Sequence, residues 1–396
     1  YDGVEIMGSE GYFINQFLCK RTNKRTDEWG GSFENRMRLP VEVVKAVRKA
    51  VGDNFIVIYR LSMIDLVEEG HSWEEVVQLG KAVEDAGANI INTGIGWHEA
   101  RIPTIVTSVP RAAFTWVTRK FRQEVNIPVI TSNRINTPDK AEEVLSNGDA
   151  DLISMARPFL ADPQFMNKAK ANKSDEINTC IACNQACLDH VFKARRASCL
   201  VNPQACYETE LQYTQTHKPR NIAVVGSGPA GLAAATIAAR RGHLVTLFEQ
   251  SHVIGGQFNM AMQIPGKEEF QETIRYFSKQ IELQGVRLKL NTCVEAQHLI
   301  EGNYHEVILA TGVTARVLTF PGADHEKVLS YIDVLRDKKP VGKKVAIIGA
   351  GGIGFDMAEF LVHNENESPS LDIALWQKEW GVDKTLKQRG GLAVKG

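Results

Sequence analysis

The run Ile222-Ala223-Val224-Val225-Gly226-Ser227-Gly228-Pro229-Ala230-Gly231 decides how the second half of this chain folds. An apolar stretch suited to a buried strand leads straight into glycines spaced Gly-x-Gly-x-x-Gly, and an alanine-rich helical stretch follows. Gly226, Gly228 and Gly231 let the backbone approach a pyrophosphate, whose charge then faces the helix N-terminus. The next apolar run, Val245-Thr246-Leu247-Phe248, ends on Glu249, where an acid binds ribose hydroxyls. The glycine spacing alone is a weak signal. With a strand before it, a helix after it and the acid in place, it predicts a dinucleotide site.

Toward the C-terminus the device recurs: Val345-Ala346-Ile347-Ile348 precedes Gly349, Gly351 and Gly354. Two such sites in one module suggest FAD in the first and a nicotinamide nucleotide in the second. The turns Gly255-Gly256-Gln257 and Ala310-Thr311-Gly312 read either as cofactor contacts through Gly256, Gln257 and Gly312 or as plain chain reversals. The expected division is a Rossmann-like FAD domain over residues 220–340 and the start of an NAD(P)H domain over 341–396, cut short before it completes.

Toward the N-terminus lies a polar linker over 207–219 and, before it, Cys180-x2-Cys183-x3-Cys187-x11-Cys199. Zinc sites usually pair two Cys-x2-Cys knuckles. Here three thiols crowd one loop and a fourth returns from further on, which suits a [4Fe–4S] cluster better. Zinc and unliganded buried thiols are the alternatives. Cys19, Cys206 and Cys293 read as ordinary thiols. Clustered cysteines without a disulfide spacing point to a reducing, cytoplasmic compartment. Residues 173–219 form this cluster segment and linker.

Residues 1–172 alternate short strands with amphipathic helices. The strands are Gly3-Val4-Glu5-Ile6-Met7, Phe55-Ile56-Val57-Ile58-Tyr59-Arg60, Asn89-Ile90-Ile91-Asn92, Pro128-Val129-Ile130-Thr131 and Leu152-Ile153-Ser154-Met155. A helix is predicted over 72–86, where Ser72 and Glu75 have capping-box spacing, and another over 112–124; Thr137-Pro138 and Asp162-Pro163 each start one. Polar groups follow the strands: Glu10 and Tyr12, Arg60, Trp97 and His98, Asn133 and Arg134, Arg157. Such clusters at the C-terminal ends of parallel strands mark the active face of a (β/α)8 TIM barrel. A doubly wound sheet is the alternative. The fold class is therefore α/β: a partial barrel, an iron–sulfur segment, then the Rossmann-like module. Since the chain opens inside a strand, we expect it to be a fragment, with the rest of the barrel upstream.

The 396 residues are 43% hydrophobic and 23% charged, ordinary for globular protein, and the net charge of −1 gives no global pull toward nucleic acid. No apolar run reaches the ~20 residues of a membrane span. No obligate protein partner is evident.

The run Gly11-Tyr12-Phe13-Ile14-Asn15-Gln16-Phe17, followed by Arg21-Thr22-Asn23-x-Arg25-x-Asp27-x-x-Gly30-Gly31-Ser32-x-x-Asn35-Arg36, resembles the old yellow enzyme barrel. With Gly94-Ile95-Gly96-Trp97-His98-Glu99-Ala100-Arg101, the cysteines and both glycine loops, the chain resembles the bacterial NADPH-dependent 2,4-dienoyl-CoA reductases. The resemblance implies FMN in the barrel, a 4Fe-4S cluster between the modules, and FAD with NADPH in the C-terminal module. Electrons would pass from NADPH through FAD, cluster and FMN to an acyl-CoA thioester. It also implies that Tyr12 donates a proton with His98 as its partner and a substrate contact. Arg60 would meet the flavin N1/O2 edge, and Arg134 with the Ala156-Arg157 pair its phosphate. Arg21 either touches substrate or is a solvated loop arginine. The His and Asn that anchor substrate in simpler old yellow enzymes are Met7 and Glu10 here, which argues against their enone-binding mode. A related reductase or dehydrogenase of enoates, steroids or amines is the rival, as is an inactive fragment.

Overall fold

The structure, a computed structural model, describes residues 1–363 and 367–393. The chain forms two compact units, Tyr1–Pro158 with Ser368–Gly396, and Phe159–Glu367.

In the first unit, strands β1 (Gly3–Gly8), β2 (Ile56–Ile64), β3 (Ile90–Ile95), β4 (Val129–Thr131) and β5 (Leu152–Ile153) form one sheet in the order β1-β2-β3-β4-β5. Every neighbouring pair is parallel. A doubly wound sheet must reverse past its first strand; this chain steps one way only, as the wall of a barrel does. The core gathers Val57, Tyr59, Leu61 and Ile91 from the strands with Val83, Phe114 and Phe121 from the flanking segments. The predicted capping box is present: Ser72 Oγ accepts from Glu75 N and the Glu75 carboxylate from Ser72 N, starting the helix Trp73–Asp85. Thr137 likewise caps the helix Pro138–Ser146. The helix expected over 112–124 is the shorter Thr115–Arg122.

Strand β2 runs four residues beyond its expected end at Arg60, because Leu61, Ser62, Met63 and Ile64 are all buried. Arg60 therefore lies within the strand, and Asp65 follows its end.

Residues 368–393, expected to extend the nucleotide module, pack instead in the barrel unit. Trp376 is buried edge-on against Phe114, 5.6 Å between ring centres, and the Gly390 backbone bridges His71 O (2.7 Å) and Leu66 N (2.8 Å). Only glycine fits there: φ is +69°, and a β-carbon would come 2.2 Å from Val67 O. Burial of this apolar segment outweighs its closeness in sequence to the third glycine loop.

In the second unit, β6 (Asn221–Val225), β7 (Leu244–Phe248), β8 (Arg287–Lys289) and β9 (Glu306–Leu309) form a parallel sheet in the order β8-β7-β6-β9. The chain reverses its direction of winding at β6, and ligands bind in the crevice outside the carboxyl ends at such a switch point. The strand expected at Val345-Ala346-Ile347-Ile348 is not formed. Val345, Ile347 and Ile348 are exposed, and no described strand lies alongside to supply a ladder. The helix Gly352–Val362 does follow. Among the described residues no helix is long and apolar enough to cross a membrane.

Candidate active site and cofactor cradles

The loop after β1 and the loop after β3 each present one functional side chain at the carboxyl face of the sheet. Tyr12 Oη lies 2.8 Å from His98 Nε2, and the two rings meet edge-on with centres 5.2 Å apart. Both side chains are exposed, so the pair stands at a surface that a ligand can reach. Gly11 turns the chain ahead of Tyr12 with φ +81°, and its N–H donates to Asn15 Oδ1 at 2.8 Å.

Three arginines expected on this face are held by protein groups. Arg60 forms ion pairs with Glu5 and, at 3.2 Å, with Glu10. Arg134 is buried with φ +58° and donates Nε to Val109 O at 2.7 Å; Arg157 donates to Ile105 O at 2.8 Å. Both arginines thus tie down the stretch between β3 and the helix Thr115–Arg122. Ala156 and Arg21 are exposed. A cleft of about 390 Å³ beside Asn126 and Pro128 opens at the start of β4, the wrong end of the strands for chemistry in a parallel sheet.

In the second unit the glycine turns converge. Gly226 has φ +99°, and a β-carbon on Gly231 would fall 1.8 Å from Gly226 O, so helix Pro229–Arg240 sits hard against the loop. Gly255 N donates to Ser227 O at 2.8 Å, a β-carbon on Gly256 would meet Gly228 Cα at 3.1 Å, and Gln257 Nε2 reaches Val313 O at 3.0 Å beside Gly312. Glu249 closes the cradle rather than waiting open: its carboxylate accepts from Ser227 N and Oγ and from Ser251 N. Nothing lies within 4 Å of a β-carbon on Gly228. That is the room a phosphate needs, and it yields a test. Gly228→Ala leaves stability within about 0.5 kcal/mol, since its φ of −69° suits alanine. We expect it to weaken FAD binding at least about tenfold, which is ~1.4 kcal/mol, read as flavin retained per protein against an unchanged melting curve.

The third glycine loop keeps the same turn without its strand. Gly349 has φ +115°, a β-carbon on Gly354 would lie 2.2 Å from Gly349 O, and Gly351 faces open space.

None of the four clustered cysteines is in a disulfide; each is partly buried, on an irregular stretch with one short helix, Leu188–Phe192. Ala182 (φ +52°) and Asn184 (φ +59°) flank Cys183 in the left-handed region, which costs non-glycine residues about 1–2 kcal/mol each. Burial pushes the Cys199 thiol up to about 11, with the charges of Cys180 and Cys183 adding to it. Among the described residues no three His, Cys, Asp or Glu side chains are placed to grip a single metal ion. A cluster, whose cysteines each hold a different iron, asks for thiols further apart than one ion does, and the donor set suits it. The stretch before it is anchored by Arg275 of helix Gln271–Leu283, which donates to Asp175 O (2.6 Å), Ile177 O (2.7 Å) and Thr179 Oγ1 (3.1 Å).

Residues 1–176 match the family described as NADH:flavin oxidoreductase / NADH oxidase, and residues 220–370 match pyridine nucleotide-disulphide oxidoreductase. Two segments of the chain thus each resemble a redox family, the first a flavin-dependent one and the second a pyridine-nucleotide-dependent one. The chain is 41% identical over 376 residues to a metal reductase of Desulforamulus reducens, covering 94% of this chain and 56% of that one. It is 33% identical to a cinnamate reductase of Clostridium sporogenes, covering 98% and 58%. Among solved structures, a 2-naphthoyl-CoA reductase in complex with 2-naphthoyl-CoA superposes with a TM-score of 0.89 at 35% identity, over 91% of this chain and 55% of that one. The chain thus spans a little over half the length of the curated relatives it matches.

Two features of the site escaped the sequence. Asp65 is fully buried beneath the Tyr12 and His98 loops. The signal for it was a polar residue at a strand end, hidden because β2 was read as too short. Arg275 had no signal, since its partners lie about a hundred residues away.

Proposed function

We propose that the chain is the barrel-and-FAD portion of an NADPH-dependent reductase of activated carbon–carbon double bonds. Its substrates would be 2,4-dienoyl-CoA thioesters, reduced to trans-2-enoyl-CoA, a step of the β-oxidation of unsaturated fatty acids. The observation that carries this reading is the 2.8 Å Tyr12–His98 pair at the exposed carboxyl face. The likeness to a 2-naphthoyl-CoA reductase supports the thioester, and that to a cinnamate reductase the conjugated double bond. When bound, FMN supplies hydride to an acceptor carbon, FAD takes hydride from NADPH, and a 4Fe-4S cluster on Cys180, Cys183, Cys187 and Cys199 carries single electrons.

The chain's own residues then handle the proton and the binding. Hydride added at C5 of a dienoyl thioester leaves charge delocalised into the thioester, and C4 must be protonated. Tyr12 is the donor. A phenol alone is a weak acid at neutral pH, so a His98 N–H held on the phenol oxygen stabilises the phenolate that the transfer leaves behind. Arg134 and Arg157 would receive the FMN phosphate, Arg60 the ring edge, and Arg21 the substrate. Gly226, Gly228, Gly231, Glu249, Gly256, Gln257 and Gly312 would hold FAD, and Gly349, Gly351 and Gly354 the nicotinamide nucleotide.

The test is an anaerobic titration of the full-length protein. NADPH bleaches the flavin absorbance, and a 2,4-dienoyl-CoA restores it faster than cinnamate does. Bleaching of the oxidised protein by dimethylamine instead would make it an amine dehydrogenase.

A further inference from the structure

Two exposed side chains cannot hold themselves at hydrogen-bonding distance. A hydrogen bond in water nets only about 0.5–1.5 kcal/mol, comparable to the rotamer entropy it must overcome. The geometry of Tyr12 and His98 must therefore come from beneath, where one carboxylate meets both of their loops. Asp65, wholly buried after β2, accepts from five donors. Its Oδ1 takes Ser62 Oγ at 2.7 Å, Trp97 Nε1 at 3.0 Å and Asn15 Nδ2 at 3.4 Å. Its Oδ2 takes His71 N and His71 Nδ1, both at 2.7 Å.

Each of two of these partners leads directly to one member of the pair. Asn15 is buried, and its Oδ1 accepts from Gly11 N, the residue before Tyr12. Trp97 is buried and precedes His98, and its backbone N–H also donates to Asp65 O at 2.9 Å. The two arms touch: a β-carbon on Gly11 would come 3.0 Å from the Trp97 ring. Burial alone would raise the Asp65 carboxyl, but the charge and hydrogen bonds of His71 and the Ser62 hydroxyl outweigh it and hold the group well below the usual carboxylate range. It is thus a fixed anion, an acceptor at every lone pair in use.

We infer that Asp65 is a positioning residue, one buried carboxylate that registers the Tyr12 loop against the His98 loop. It touches no substrate and acts only through the pair. This rests on the reading of Tyr12 as proton donor. Asp65→Asn keeps the volume but removes the charge and sets an NH2 against donors in either orientation, His71 N and Nδ1 or Ser62, Trp97 and Asn15, so the side chain must shift and the loops it holds lose register.

In the flavin-loaded full-length protein, Asp65→Asn is expected to slow reoxidation by a 2,4-dienoyl-CoA about ten- to hundredfold, the scale of an ångström's misplacement. Flavin reduction by NADPH keeps its rate. The discriminating measurement is the double variant with Tyr12→Phe, which should be no slower than Tyr12→Phe alone, because Asp65 has nothing left to position. Losses that multiply in the double variant, or a wild-type rate in Asp65→Asn, overturn the inference. Trp97→Phe serves if Asp65→Asn fails to fold: it removes one donor, keeps a ring against Gly11, and should show a smaller loss with the same non-additivity. If Tyr12→Phe itself turns over normally, the proton-donor reading fails rather than the Asp65 inference.

Discussion

Replacing Tyr12 by phenylalanine in the full-length, flavin-loaded protein is expected to slow substrate reduction about 10²–10⁴-fold, the usual contribution of a placed general acid. Reduction of the flavin by NADPH should be unchanged. The substitution is close to surgical. The phenyl ring keeps its edge-on contact with His98, and only the Oη that lies 2.8 Å from Nε2 is lost. Tyr12 is 48% exposed, so removing one hydroxyl leaves no buried group unpaired and the melting temperature should hold. Stopped-flow absorbance separates the half-reactions: bleaching by NADPH, then recovery with a 2,4-dienoyl-CoA. Equal slowing of both would show that the substitution disturbs the barrel rather than the proton. Recovery at the wild-type rate would remove Tyr12 from the chemistry.

Local features of this site were legible in the sequence, and contacts made across it were not. Periodicity and caps placed β3, β4 and the helix Trp73–Asp85, and polar residues after β1 and β3 gave Tyr12 and His98. The order β1-β2-β3-β4-β5 then decides between the two architectures that the alternation left open. What failed did so for lack of a partner in the local window. The end of β2 depends on burial from both faces, which moved Arg60 into the strand and concealed Asp65. Val345-Ala346-Ile347-Ile348 has every intrinsic mark of a strand, but a parallel strand exists only beside another. Trp376 and Gly390 find their places against Phe114 and Val67, some three hundred residues earlier, where no spacing rule can reach. Glu249 shows the reverse case. Its place just after β7 was legible, but that its carboxylate braces the Ser227 turn follows only from the fold.

The second large effect concerns the cysteines. Cys183→Ala in the full-length protein is expected to bring bound iron close to zero and to drop NADPH-driven substrate reduction to background. The reasons are local. Cys183 sits between two left-handed residues, Ala182 and Asn184, so this stretch is bent at a cost of a few kcal/mol. Arg275 fixes only its approach, up to Thr179. Metal binding contributes folding free energy to such a segment, and losing one of the four ligands removes much of it. The FAD cradle shares none of these residues, so NADPH should still bleach the FAD absorbance at the normal rate. Nor does the Tyr12–His98 pair, so protein reduced with dithionite should still reduce a 2,4-dienoyl-CoA. Loss of iron with both partial reactions intact would locate the role of Cys180, Cys183, Cys187 and Cys199 in carrying electrons between them. Wild-type iron content with three cysteines, or full NADPH-driven turnover without iron, would show that the four thiols do not hold a relay.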